Sequence, residues 1–409
     1  MCTRMPSLYV HVPFCIHKCD YCAFYSYSLM DSPKDLSSVY LEGLEIEMAK
    51  MQKDAPQGVS SLFIGGGTPT VLKETELERL LRMIQRYFPM SPGVEQTMEG
   101  NPGTITEEKI RLIQSYGINR FSLGIQSFND QLLNAVGRVH TAKQAREAIE
   151  RLREAGFKNL NLDLMFGLPG QAMTIWQMSL EEALSYSPEH LSLYGLMLEE
   201  GTPLFERYTG KTNGERGEAR GTVLEEKAKM STGLVQVDLL PDGDLQADMY
   251  EWAVKRLKSE GYRQYETSNF ARPGYECQHN LGYWRGGDYL GVGPGGVSCL
   301  NRVRLKNIED VQMYKILLSK GQCPLDESGR EILSLRECMG ERMILGLRLE
   351  EGVHLKTFED DFGTDLRDIY RSVLERYKKE DVFILVKDDY LCLNPKYSFV
   401  ANSILQEFV

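Results

Sequence analysis

No stretch of this chain approaches the ~20 consecutive apolar residues that a membrane helix needs, and no basic segment followed by an apolar core opens it. A cytoplasmic protein is expected, reaching membranes only through partners. Positive charge is short as well: 47 Lys and Arg against 58 Asp and Glu leave a formal charge of -11. Such a surface repels phosphate backbones and acidic lipids on average, which excludes nonspecific nucleic-acid and anionic-membrane binding and leaves small molecules or proteins as partners. Cysteine is scarce too, nine in 409 residues, too few and too unevenly spaced for a disulfide scaffold. Cys2, Cys277, Cys299, Cys323, Cys338 and Cys392 are scattered and read as small core hydrophobes or idle thiols. What is present is an ordinary globular composition, 42% hydrophobic and 26% charged, long enough for a sizeable core and two domains.

The other three cysteines, Cys15, Cys19 and Cys22, fall within the stretch HVPFCIHKCDYCAFYSY. Three chemistries compete for a C-x3-C-x2-C run. A structural zinc closes its tetrahedron with four ligands, so His11, His17 or a distant residue would have to complete it. A redox thiol pair or a purely structural set is the second reading, although a loop straight after the apolar run SLYVHV gives such a set no packing purpose. The third is a [4Fe-4S] cubane on three thiolates, which leaves one iron open to a small molecule. The missing fourth cysteine is then the working feature.

Apolar, β-rich runs recur at SLYVHV, SLFIGGG, VEQTMEG, RFSLGIQS, NLNLDLMFG and HLSLYGL, with helical patterns between most of them. Lys34 to Lys53 carries Leu36, Tyr40, Leu44, Met48 and Met51 on one face, while Thr141 caps a second helix that Gly156 ends. The alternation predicts an α/β chain with a parallel sheet covered by helices. Polar residues stand at the C-terminal ends of the runs: Gly65, Gly66, Gly67 and Thr68, then Glu99, Gln126 and Asp163. The stretch GGGTP serves either a close backbone approach to a ligand or a tight turn.

Beyond the sixth run, Thr209 to Asp238 is polar, Gly-rich and poorly periodic, and reads as an inserted loop without chemistry. A helix is expected from Leu245, burying Ala247, Tyr250, Ala253, Val254 and Leu257 and ending before Gly261. Further on, His279, Asn280, Tyr283 and Trp284 form H-N-x-x-Y-W, followed by Gly291, Gly293, Gly295 and Gly296. An imidazole beside two flat aromatic faces is either a hydrogen-bonded structural histidine or an axial ligand for porphyrin iron. Residues 1–320 are expected as one domain and 321–409 as a smaller, mostly helical one. In the latter, Leu335, Met339, Met343 and Leu347 make one apolar stripe and Leu366, Ile369, Tyr370, Val373 and Tyr377 another, followed by a hairpin at VFILVKDDYLCL and a last helix. Helices plus a hairpin suggest a winged helix, but His354 to Val409 holds eight basic and eleven acidic residues, so no DNA-binding face is advertised.

At the cysteine run the sequence resembles the radical S-adenosylmethionine (SAM) superfamily, in which the C-x3-C-x2-C loop leaves one iron open to the amino and carboxylate groups of SAM. The wider LYVHVPFCIHKCDYC is similar to the branch containing oxygen-independent coproporphyrinogen III dehydrogenase and the HemW-type heme chaperones. The resemblance implies an open, partial (β/α)6 barrel, with a [4Fe-4S] cluster on Cys15, Cys19 and Cys22. It implies SAM contacts at Tyr9 and Tyr21, at Gly66, Gly67 and Thr68, and at Glu99, Gln126, Arg138, Asp163, Met197 and Val297. Glu99 or Asp163 would accept from ribose hydroxyls, and Arg138 would offer its fork to a SAM carboxylate. HemW-type chaperones carry the H-N-x-x-Y-W signature, associated with heme, which points to His279, Asn280, Tyr283 and Trp284.

Two functions follow from this branch. As a carrier the protein binds heme and passes it to heme-accepting proteins, membrane-bound respiratory enzymes among them, as a monomer or a homodimer. As an enzyme it cleaves SAM reductively and uses the adenosyl radical to oxidise a propionate of coproporphyrinogen III. The dehydrogenase pattern continues with a cysteine two residues after the third, where this chain has Phe24. Phenylalanine offers neither ligand nor proton, so the carrier is expected and coproporphyrinogen oxidation is not.

Overall fold

Alternate residues of most of the six expected strands are apolar, and this alternation decides the architecture. The computed structural model describes residues 5–210, 239–386 and 389–409; Cys2, and all but the first two residues of the insertion expected from Thr209 to Asp238, lie outside them, and Thr209 itself ends a helix, Pro203–Thr209. Strands β1 (Ser7–Val12), β2 (Ser61–Gly66), β3 (Glu95–Gly100), β4 (Arg120–Gln126), β5 (Leu160–Phe166) and β6 (His190–Gly195) lie side by side and parallel. One set of side chains, including Leu8, Val10, Leu62, Ile64, Met98, Leu123, Leu162 and Leu193, is buried in the main core. The other set runs in registered rows across the strands, as in Glu99–Ser122–Asn161–His190 and Gly124–Asp163–Ser192. Directly paired residues point to the same side of a sheet, so these rows place the polar groups together on the face opposite the apolar set.

Helices at Leu36–Met51, Glu74–Tyr87, Glu107–Ser115, Ala142–Glu154 and Met173–Ser185 connect the strands. Thr141 forms the expected cap, its hydroxyl accepting from Gln144 N at 3.3 Å while the Gln144 side chain accepts from Thr141 N at 2.9 Å. The helix expected from Leu245 spans Gly243–Ser259 and buries Met249, Ala253 and Leu257; Ala247, Tyr250 and Val254 are only half-buried.

The six parallel strands are flanked on both sides. Short strands β7 (Arg263–Gln264) and β8 (Asn269–Ala271) add antiparallel beyond β6. Strand β9 (Tyr289–Val292) pairs in parallel with β1. Strands β10 (Val297–Leu300), β11 (Val303–Asn307) and β12 (Leu325–Ile332) continue as an antiparallel meander. The order is β12-β11-β10-β9-β1-β2-β3-β4-β5-β6-β8-β7. Strand β12 thus joins the main sheet from beyond the expected boundary at residue 320.

The C-terminal segment packs a core of its own, including Met339, Met343, Leu347, Phe358, Leu366, Tyr370 and Phe408. The expected stripe from Leu366 to Tyr377 is two short helices, Leu366–Ile369 and Arg371–Arg376, because Tyr370 leaves helical geometry with φ -107°. Leu335, expected in the first stripe, is exposed. The hairpin forms from Phe383–Val386 and Tyr390–Leu393, with Val353–His354 as a third strand.

Candidate functional site

Cys15 ends a two-residue strand, Phe14–Cys15, which pairs with Tyr27–Ser28 and closes the intervening segment, with Cys19 and Cys22, into a loop. The loop is tied to the end of β2 by hydrogen bonds from Gly67 N to Val12 O (2.9 Å) and from Thr68 N to Phe14 O (2.6 Å). Here the glycines earn their place. Gly66 has φ +106°, and a Cβ on Gly67 would stand 2.4 Å from the Phe14 carbonyl oxygen. The far side of the loop is held through Asp20, whose amide donates to Val136 O (3.1 Å) and whose carboxylate takes Arg207 Nη2 at 2.6 Å.

Two side chains reach the cysteines. Thr68 Oγ1 donates toward Cys15 Sγ at 3.7 Å, and Arg138 Nη1 toward Cys19 Sγ at 3.5 Å. Asn101 joins them, its Nδ2 donating to Thr68 Oγ1 and its Oδ1 accepting from Arg138 Nη2, both at 2.8 Å. A cation and a hydroxyl aimed at sulfur favour thiolate, whereas burial pushes the Cys15 and Cys22 thiols up. Soft sulfur donors in a partly buried loop fit an iron-sulfur cluster, whose binding would draw off those protons. A single zinc ion fits less well: among the described residues no three His, Cys, Asp or Glu side chains converge on one point. Three thiolates of a cubane each take a different iron and need no such convergence.

The strand ends beside this loop carry the groups expected for SAM. Gln126 ends β4 with φ +67°, where the register of β4 against β5 shifts. A left-handed glutamine at a strand end is strain of the kind that ligand sites retain. Its Oε1, like Arg138 Nε, is buried without a hydrogen-bond partner among the described residues. Glu99 accepts from Gly66 N at 3.1 Å, and burial, reinforced by Asp163, pushes its carboxyl up to about 8. Near neutral pH it is therefore largely protonated and able to donate as well as accept. Asp163 is held by Asn161 Nδ2 (2.7 Å) and Ser122 Oγ (3.2 Å). Tyr9 OH bonds to His11 Nδ1 at 3.0 Å, and Tyr21 packs on the apolar cluster of Leu132, Val136 and Leu196. Met197, 70% exposed, lies just beyond β6, and Val297 opens β10.

One expectation changes in geometry. Arg138 turns its fork toward Cys19, Asn101 and the Gly124 carbonyl, not into open space. Asn101 was not anticipated at all; its signal is the NPG turn directly after Glu99 and Gly100. Glu47 was also missed, although it interrupts the apolar face of the first helix. It is buried, accepts from Gly293 N (2.7 Å), Asn307 Nδ2 (2.6 Å) and Tyr314 OH (2.5 Å), and so pins the glycine-rich loop.

The H-N-x-x-Y-W segment forms a short helix, Gln278–Trp284, at the opposite end of the strands. His279 is 1% exposed, with Nδ1 on Ser61 Oγ (3.0 Å) and Nε2 on Tyr283 OH (3.1 Å). Burial, aided by the cation of Arg120, lowers its pKa to about 3. Both ring nitrogens are spent, so this histidine packs as a neutral core residue with no free lone pair. Asn280, Tyr283 and Trp284 instead line a cavity of about 370 Å³ with Tyr194, Asn269 and Arg348.

Comparison with known proteins accords with this arrangement. Residues 9–183 match the radical SAM superfamily and residues 333–396 the HemN C-terminal domain. The chain is 37% identical to the heme chaperone HemW of Bacillus subtilis, covering 91% of this chain and 90% of that one. It is 38% identical to the heme chaperone HemW of Escherichia coli, over 71% and 68% of the two chains. In structure it resembles coproporphyrinogen III oxidase (HemN) from Escherichia coli, a radical SAM enzyme, with a TM-score of 0.79 over 99% of this chain and 90% of that one, at 22% identity.

Proposed function

The chain belongs to the HemW family of heme chaperones, within the radical SAM superfamily, and from that premise we propose that it binds heme and delivers it to acceptor proteins. The observation that carries this reading is 37% identity to a heme chaperone along 91% of the chain. A second observation sets it apart from the dehydrogenase reading. Phe24, at the position of the additional cysteine in the dehydrogenase pattern, is 71% exposed, and its ring supplies neither a ligand nor a proton.

In this reading Cys15, Cys19 and Cys22 hold a [4Fe-4S] cluster, which supplies a one-electron centre with an iron open to SAM. Arg138 and Thr68 stabilise the thiolates. Tyr9, Tyr21, Gly66, Gly67, Thr68, Glu99, Gln126, Asp163, Met197 and Val297 line the SAM side, with the Gln126 side-chain amide oxygen as a polar atom without a partner among the described residues. Residues 279–284 belong to the heme side, and the 321–409 segment covers it. No helix among the described residues is long and apolar enough to cross a membrane. We place the protein in the cytoplasm, meeting membrane-bound respiratory enzymes as heme acceptors; a homodimer is compatible with this role.

An anaerobic hemin titration of cluster-reconstituted protein tests the reading. Saturable one-to-one growth of a Soret band, followed by its transfer to an apo-cytochrome, is expected. Absence of saturable binding, together with SAM-dependent formation of protoporphyrinogen IX, would replace the carrier with the enzyme.

A further inference from the structure

The turn NPGT, residues 101–104, follows β3 directly and is fixed by its own backbone. Asn101 O accepts from Thr104 N at 2.9 Å and from Thr104 Oγ1 at 2.7 Å, and Pro102 keeps Asn101 extended, at φ -108° and ψ 146°. The Asn101 side chain thus starts from a fixed point and reaches residues on two other elements. Its Nδ2 donates to Thr68 Oγ1, just beyond β2, and its Oδ1 accepts from Arg138 Nη2, just past the helix Asp130–Ala135, both at 2.8 Å. Gly124 makes room for this contact: a Cβ there would stand 2.8 Å from Asn101 Oδ1.

The partners decide which way the amide lies. Arginine only donates, so the amide oxygen faces Arg138 and the NH2 group faces Thr68. A threonine hydroxyl has a single proton, and because Asn101 donates to its oxygen, that proton is left for Cys15 Sγ, 3.7 Å away. Arg138 Nη2 is likewise taken by Asn101 Oδ1 and the Gly124 carbonyl, which leaves Nη1 for Cys19 Sγ at 3.5 Å. One amide therefore aims two donors at two different cysteine sulfurs. Reduction by one electron adds negative charge to a cluster that its thiolates already make anionic, so donors at the sulfurs favour the reduced form and raise the potential.

We propose that Asn101 raises the reduction potential of the cluster, acting through Thr68 and Arg138 as a positioning residue. The proposal rests on the reading that Cys15, Cys19 and Cys22 hold that cluster. A cluster poised in this way accepts its electron from a weaker reductant.

The test is an anaerobic redox titration without SAM, followed by electron paramagnetic resonance, of the reconstituted full chain and of Asn101→Asp, Asn101→Ala and Thr68→Ser, with iron and sulfide counted in each. Asn101→Asp keeps the shape of the side chain but replaces its donor with an acceptor, which draws the Thr68 proton away from Cys15 and adds an anion. A hydrogen bond to a charged group is strong enough to change an equilibrium about ten-fold. Asn101→Asp is accordingly expected to shift the one-electron equilibrium about ten-fold toward the oxidised cluster, which lowers the potential by about 59 mV. Asn101→Ala, which frees both donors without adding charge, is expected to lower it by less, and Thr68→Ser, which keeps the hydroxyl, to leave it at the parent value. An unchanged potential in cluster-loaded Asn101→Asp would overturn the proposal and leave Asn101 as the anchor of a turn. So would a shift in Thr68→Ser as large as that in Asn101→Asp, because fit at residue 68 and not its hydroxyl would then set the potential. If Asn101→Asp takes up no cluster, Asn101→Ala decides, a lowered potential supporting the proposal and a parent potential overturning it. A parent chain that takes up no iron would instead remove the cluster reading itself.

Discussion

The two ends of the same strands carry opposite kinds of polar chemistry. Gly66 at the C-terminal end of β2 leads into Gly67 and Thr68, which are tied to the cysteine loop, while Ser61 at the N-terminal end meets His279. Five residue steps of strand lie between Ser61 and Gly66, about 16 Å by the usual rise. At the C-terminal end, the backbone is strained and polar atoms stand alone: Gln126 Oε1 and Arg138 Nε lack partners among the described residues, and Gln126 sits at φ +67°. At the N-terminal end the histidine is satisfied at both nitrogens. In barrels of alternating strands and helices, residues at strand C-termini do chemistry and those at N-termini hold the fold. A motif with a chemically suggestive histidine therefore teaches less than the partners that histidine already has.

The strongest break of this contrast is Cys19→Ala. It is expected to abolish iron incorporation and the broad absorbance near roughly 400 nm that thiolate-bound clusters give, with the fold unchanged by far-ultraviolet circular dichroism. A variant that still loads four irons would put the cluster elsewhere.

At the other end, His279→Ala leaves the Ser61 hydroxyl and Tyr283 phenol unpartnered in a buried place. Each such loss costs about 1–3 kcal/mol, so urea denaturation of the apo protein is expected to register about 3 kcal/mol in all. Unchanged stability would mean that the bonds to Ser61 and Tyr283 are dispensable and that the histidine is free for a ligand.

Gln126→Gly sharpens the contrast in the opposite direction. Relief of a left-handed side chain is worth about 1–2 kcal/mol, offset by about 0.5–1 from the flexibility of unfolded glycine. A small net gain of about 0.5 kcal/mol in apo stability is expected, together with weaker SAM binding by calorimetry. Loss of stability would show the strain to be absent.

A pH-dependent effect concerns Glu47, whose carboxyl burial pushes up to about 7. Its unfolded value is near 4.3, so between these pH values the native state binds more protons than the unfolded chain. Stability from this group is present at low pH and declines as pH rises through that window. Glu47→Gln is expected to flatten the stability profile between about pH 4.5 and 7 relative to the parent. Parallel profiles would contradict the assignment.

Much of this was legible in the residues. The six strands fall on the six β-rich runs, because alternation of period two survives in SLYVHV, RFSLGIQ and NLNLDLMF. Thr141 and Gly156 punctuate their helix as read, since capping is a local matter of one side chain and one dihedral. The cysteine loop was legible for the same local reason. What escaped depends on separation in sequence. Asn101 reaches Thr68 and Arg138, Glu47 reaches Gly293 and Asn307, and the two nitrogens of His279 are spent on Ser61 and Tyr283. No spacing rule pairs position 47 with 293 or 61 with 279. The split at Tyr370 escaped because the apolar stripe runs through it unbroken while the backbone does not.

The most direct test of the central claim, that three cysteines hold a cluster with one iron open at the strand C-termini, is electron paramagnetic resonance of the anaerobically reconstituted, dithionite-reduced protein with and without SAM. A [4Fe-4S] signal that shifts on adding SAM, and is absent from Cys19→Ala, is the predicted result. Stoichiometric zinc with no iron, or a cluster signal indifferent to SAM, would contradict it.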